Sequence, residues 1–210
     1  MSSSLDLPQL ISEIRACRIC VDQPAAQPLP HDPRPVLQLS AKAQLCISGQ
    51  APGARVHKSG RPFTDPSGER LRDWMQVNEQ TFYDADKVAI VPMGFCFPGN
   101  DEKGGDLPPR SECKAAWHDQ LYAGRQPFGL ILAVGQYAIR YHLPQCRRQS
   151  LTETVRQFAC RSSADLANQV ILPLPHPSWR NTAWMKKNPW FEQDYLPVIR
   201  RRIVEVIGKN

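Results

Sequence analysis

Seven cysteines occur in this 210-residue chain, and four of them stand at spacings that suit metal chemistry. Cys17 and Cys20 form a Cys-x-x-Cys pair, and Cys96 and Cys113 bracket a loop. Four soft thiolates suit either an iron–sulfur cluster or a tetrahedral zinc ion. Cys46, Cys146 and Cys160 lack such pairing and are read as structural or incidental. A second set of reactive groups is spread along the chain. Gly49-Gln50-Ala51-Pro52-Gly53, Met93-Gly94-Phe95-Cys96, Gly135-Gln136-Tyr137-Ala138 and His176-Pro177-Ser178 each follow a short apolar run. Their amide, thiol, phenol, imidazole and hydroxyl groups become one site only if the runs are strands whose ends lie together.

The elements that must position them are legible from periodicity. The apolar runs Ala43–Ser48, Val88–Pro92, Leu130–Val134 and Val170–Leu174 read as strands. Helical spacing marks Leu5–Ala16, Glu69–Val77 with Ser67 as a candidate N-cap, Arg110–Tyr122, Tyr137–Leu143, Thr152–Phe158 and Trp190–Ile207. The proline-rich Val21–Val36 predicts an ordered arm, and Pro98–Pro109 a loop. Strands alternating with helices predict an α/β fold, with three α/β/α layers around a central four-stranded parallel sheet. No repeat or linker interrupts 1–210, so a single domain is expected. In such sheets ligands bind outside the carboxyl ends of the strands, where the four turns fall.

Net charge is +6 at pH 7, which favours an anionic partner such as nucleic acid. The longest apolar run is too short to span a membrane. The amino terminus has neither a charged nor an apolar leader segment, so a cytoplasmic protein is expected, with cysteines outside a disulfide framework.

Taken together, these residues resemble the uracil-DNA glycosylase superfamily over most of the chain. Gly49–Gly53 resembles its first motif, and His176-Pro177-Ser178 its second. Gly60-Arg61-Pro62-Phe63-Thr64-Asp65, followed by Ser67-Gly68, resembles the segment that stacks on the extruded base. The four cysteines match, in order and approximate spacing, the cluster ligands of the family-four and family-five branches. Two positions depart from the commoner pattern. Pro92 stands where many members carry an Asn that reads uracil, and Ala51 where others carry an Asp that orients water. Both departures resemble family five, which implies broader base specificity.

The resemblance implies a monofunctional DNA glycosylase that hydrolyses the N-glycosidic bond of uracil or another deaminated base and leaves an abasic site. No lysine nucleophile is indicated for lyase chemistry. The reaction passes through an oxocarbenium-like sugar and a departing base anion. His176 is expected to donate to a base carbonyl oxygen. Asp65 is expected to position water and offset charge on the sugar, or to cap a turn. Gln50 offers amide contacts to base or water. Phe63 is expected to stack on the flipped base, with Ala51, Ser178 and Asn181 completing the base site. Pro52 and Pro177 are expected to hold phosphates. Trp179, Arg180 and Lys186, with Asn181, Trp184 and Lys187 in the loop Pro177–Lys187, suit DNA grip and wedging. Arg61, Arg70 and Arg72 extend the basic footprint.

A 4Fe–4S cluster on Cys17, Cys20, Cys96 and Cys113 is implied as a structural pin, with zinc the alternative. The expected partner is DNA carrying a damaged or deaminated base, with no membrane and a monomeric protein. The competing reading is a catalytically weak nucleic-acid-binding relative with the same fold. A zinc-stabilised nucleotide-binding protein is a third.

Overall fold

Val88–Ile90, Leu45–Ser48, Leu130–Val134 and Ile171–Leu174 lie side by side in one sheet, here named β2, β1, β3 and β4 by chain order, and every pairing is parallel. The computed structural model describes residues 6–123 and 128–208. All residues of the central strands β1 and β3 are buried, as a parallel sheet covered on both faces requires. The expected three-layer α/β/α architecture is therefore the observed one. The strands are shorter than the apolar runs. Ala43 and Val170 precede the paired ladder, and Val91 and Pro92 follow it. Proline lacks the N–H that would extend pairing.

Alternation along the strands divides the core. Leu45 and Ile47 face a cluster with Leu71, Trp74, Phe191, Tyr195 and Ile199. Cys46 and Ile131 face the opposite cluster, with Leu10, Ile14, Leu37, Phe95 and Leu121. Cys46 and Cys146 are buried and Cys160 is exposed.

The first helix spans Leu7–Arg15, capped by the Asp6 side chain; Leu5 lies outside the described residues. The helix placed at Glu69–Val77 is Pro66–Met75, and its N-cap is Asp65 rather than Ser67. Proline at the first helical position and a carboxylate before it favour that start. The helix 111–123 includes a π-helical stretch, Lys114–His118. A second such stretch, Phe191–Tyr195, opens the carboxyl-terminal helix Leu196–Ile207. The glycine-rich stretch after β1 holds a further helix, Ala54–Ser59. The loop read at Pro177–Lys187 winds into Trp179–Asn181 and the helix Thr182–Lys187. Among the described residues no helix is long and apolar enough to cross a membrane.

The strand order 2-1-3-4 reverses direction between β1 and β3. A crevice opens there, beyond the carboxyl ends, because the flanking connections leave toward opposite faces.

Candidate active site

A cavity of about 420 Å³ occupies that crevice. Gln50, Ala51 and Pro52 reach it from β1, Phe63 and Asp65 from the following segment, and His176, Ser178, Trp179 and Arg180 from β4. Pro92 lines it from the end of β2. Gly135 holds three of these segments together. It adopts a positive φ of 83°, and a Cβ there would lie 3.3 Å from the Gln50 side chain and 3.5 Å from His176 Cβ. Glycine alone takes that conformation readily while leaving room for both neighbours.

Phe63 has a φ of 54°, an uncommon state for a bulky residue. Strain of this kind costs on the order of 1–3 kcal/mol and needs local support. The Tyr83 hydroxyl donates to the carbonyls of Pro62 at 2.9 Å and Phe63 at 3.2 Å. Arg72 Nη1 donates to the same Phe63 oxygen at 3.3 Å. Gly68 completes the support, since a Cβ there would overlap that oxygen. Gly49 lies on the other side, with space for a Cβ only at 3.4 Å from the ring. The ring is thus set in the cavity wall by contacts to its backbone.

His176 is half-buried, and its Nδ1 accepts from the Ser178 amide at 3.3 Å. A nitrogen that accepts carries no proton, so Nε2 is the donor in the neutral ring. Burial lowers the His176 pKa despite the opposing charge of Asp65, which keeps the ring neutral. Asp65 is half-buried and accepts from the Gly68 amide at 3.3 Å as the helix cap. The same residue thus caps a helix and lines the cavity.

Three expected site residues stand apart from the cavity lining. Asn181 donates its amide to the His176 carbonyl at 2.7 Å and braces the turn. Pro177 is buried, and Lys186 is exposed on Thr182–Lys187. Trp184 turns inward, its indole donating to Thr152 Oγ1 at 2.7 Å. Trp179 is 75% exposed at the rim, with the Arg180 guanidinium 5.8 Å from its ring centre.

The three arginines placed in a DNA footprint each have partners within the fold. Arg61 pairs with Glu79 at 3.1 Å and covers the Tyr83 ring at 3.4 Å. Arg72 supports Phe63. Arg70 Nη1 donates to the carbonyls of Pro177 at 3.4 Å and Ser178 at 3.0 Å. It ties the helix capped by Asp65 to the turn that carries His176.

On the far side of the strand end, the cysteines approach one another. Cys20, Cys96 and Cys113 are buried and Cys17 is half-buried. Cys20 and Cys113 are hydrogen-bonded through their thiols, which pulls the Cys20 pKa down to about 7. Burial pushes Cys96 up to about 12, while the Arg34 amide donates to its sulfur and the charges of Cys20 and Cys17 act on it. The Phe95 amide donates to Cys113 sulfur. Backbone N–H groups aimed at sulfur suit thiolate ligands. Among the described residues no group of three or more His, Cys, Asp or Glu side chains is placed to hold a single metal ion.

Asp106 and Tyr137 also line the cavity, and neither was given a role from the sequence. Tyr137 sits in one of the four strand-end turns, so its position carried a signal. Asp106 lies in the loop after β2 and carried none.

The fold is a doubly wound sheet with a cavity at its switch point, lined by an aromatic ring, an imidazole and two carboxylates. The chain belongs to the uracil DNA glycosylase superfamily, whose family model matches residues 37–200. That superfamily comprises hydrolytic DNA glycosylases, enzymes that act on DNA.

Proposed function

We propose that this protein is a monofunctional DNA glycosylase that removes uracil or another deaminated base by hydrolysis and leaves an abasic site. One observation carries the reading: Phe63, Asp65, Gln50 and His176, from distant segments, line one cavity. A base extruded from DNA stacks on Phe63. His176 Nε2–H then faces a carbonyl oxygen of the base and stabilises the anion as the glycosidic bond breaks. Neutral imidazole suffices, because the donor is a fixed N–H rather than a positive charge. The Asp65 carboxylate offsets positive charge growing on the sugar. Trp179 at the rim suits a wedge into the stack that the base vacates. Pro92 offers no side-chain donor to the base edge, which favours several deaminated bases over uracil alone.

Cys17, Cys20, Cys96 and Cys113 are proposed to hold a 4Fe–4S cluster. Its role when bound is structural, joining the amino-terminal arm to the loop after β2. Purified protein should be brown and absorb near about 400 nm, as iron–thiolate chemistry does and zinc does not.

The test is base release from single strands and duplexes containing uracil, hypoxanthine or xanthine, using protein of known metal content. Release from at least one is expected. No release from any, by folded and loaded protein, would leave the silent DNA binder, a reading that Ala51 and Pro92 in the cavity wall favour.

A further inference from the structure

The cavity contains a carboxylate with no part in the chemistry so far. Asp106 lines it alongside Asp65 and His176. Its loop is tightly built. Asp101 accepts from the amides of Lys103 at 2.9 Å and Gly105 at 2.7 Å, and Leu107 N donates to the Gly99 carbonyl at 2.9 Å. Asn100 and Asp106 form an antiparallel bridge, and Asn100 Nδ2 donates to Asp106 Oδ1 at 3.2 Å. The other oxygen, Oδ2, lies against the turn that follows β1, where a Cβ on Gly53 would be 3.4 Å away. One oxygen is therefore held and the other presented beside Ala51-Pro52-Gly53.

Asp65 is placed differently, because its Oδ1 is engaged in capping Pro66–Met75. Asp106 is exposed in the free protein, so it stands at the mouth of the cavity. The sugar of an extruded nucleotide stays tethered to the DNA backbone and must also lie at the mouth, with the base deeper against Phe63 and His176. Docked DNA would then cover Asp106 and a water beside it.

We propose that Asp106 is the general base of the reaction, taking a proton from the attacking water. The assignment rests on the glycosylase reading above. As the water oxygen bonds to C1′, the C1′–N bond breaks and its electron pair leaves with the base. Asp106 accepts the proton that water loses. The base anion takes a proton from solvent, and Asp106 returns its own to solvent. The products are the abasic sugar and the free base. The charged groups facing Asp106 are Arg180 from the turn after β4, Asp65 from the helix cap and Asp101 from its own loop. Partial burial of the carboxylate raises its pKa, with Asp65 and Asp101 adding to the rise and Arg180 and the Asn100 bond opposing it. A base must be ionised to act, so the rate should fall on the acid side, at a higher pH than an unshifted aspartate would give.

The test is single-turnover base release, across pH, by the wild type and by Asp106→Asn, Asp106→Glu and Asn100→Ala. Asp106→Asn keeps the shape and an oxygen for Asn100, and should lose about 10²–10⁴-fold in rate with DNA binding retained. Its acid limb should disappear. Asp106→Glu should recover part of the rate. Asn100→Ala removes the loop bond but keeps the carboxylate, and should lose less than about tenfold. An active wild type with an equally active Asp106→Asn would overturn this assignment alone, as would equal losses in Asp106→Asn and Asn100→Ala. Should Asp106→Asn fail to fold, the acid limb of the wild type and the rate of Asp106→Glu decide: no such limb, or an inactive but folded Asp106→Glu, overturns it. A wild type that releases no base would overturn the glycosylase reading and this one with it.

Discussion

Two regions flank the carboxyl end of β2, and they use polar groups in opposite ways. On the cysteine side, polar groups tie segments to each other. Arg110 bonds Glu112 at 2.7 Å and the Gln27 carbonyl at 2.7 Å, and Glu112 also accepts from the Ala25 amide at 3.0 Å. His31 contacts the Phe97 carbonyl at 3.0 Å. These bonds lock the proline-rich arm onto the loop between Cys96 and Cys113. At the rim of the cavity, His176, Asp65 and Asp106 each engage a neighbour through one atom and still line open space. Phe63 holds an unfavourable φ there. The cysteine side places its interactions in stability, whereas the rim holds its groups ready for a ligand.

The sharpest way to break this contrast is His176→Ala. Loss of a preorganised donor should lower single-turnover base release by about 10²–10³-fold. The melting temperature should stay within a few degrees, because the ring contributes one weak bond to the fold. In the wild type burial lowers the His176 pKa below the ordinary 6.5, so the ring should be mostly neutral at pH 6.5 and above. The acid limb should therefore come from a carboxylate and persist in His176→Gln. A rate that drops through pH 6.5 in step with a histidine titration would contradict the neutral-donor role.

Glu112→Gln probes the opposite region. Side-chain exposure of the Arg110–Glu112 pair is only 15% and 9%, so the charge left on Arg110 cannot be fully hydrated. Burial disfavours the Glu112 carboxylate, yet the Ala25 amide and Arg110 outweigh it and pull the pKa down to about 2. Removing its charge should cost about 2–3 kcal/mol in urea unfolding. Base release per folded molecule should stay near the wild-type rate. A large loss of rate with unchanged stability would show that the two regions are not separable.

Much of this division was legible in the sequence, for identifiable reasons. Apolar runs ending in glycine or proline located the strands, because a fully buried parallel strand has little freedom in composition. The strand order then forced Gln50, Pro92, Tyr137 and His176 to one edge. The segments between were harder to read. Trp184 among basic residues looks like a surface aromatic, and only its bond to Thr152 shows that it faces inward. Arg70 and Arg72 read equally well as a solvated helix face, since their partners Ser178 and Phe63 lie outside that helix. The left-handed backbone at Phe63 depends on Tyr83 and Gly68, which no local pattern connects to it. Asp106 needed the folded loop, because its approach to Gly53 is a tertiary contact.

Arg70 is where the two regions resemble each other, and it supports the smallest prediction. It is a paired group at the rim, half-buried, with its guanidinium on the Pro177 and Ser178 carbonyls and within 3.5 Å of Thr182 Oγ1. Arg70→Met keeps most of the aliphatic stem and deletes these bonds. Since the carbonyls can turn to water, the loss in stability should be about 1 kcal/mol. The loss in rate should be larger in proportion, near tenfold, because the turn would no longer hold His176 in register with the helix capped by Asp65, and small misplacements at a reacting centre are amplified. Measured together, a melt and a single-turnover rate separate the outcomes. A fall in both by the same free energy would place Arg70 with the structural bonds of the cysteine side. A rate loss that exceeds the stability loss would place it with the groups that align the cavity.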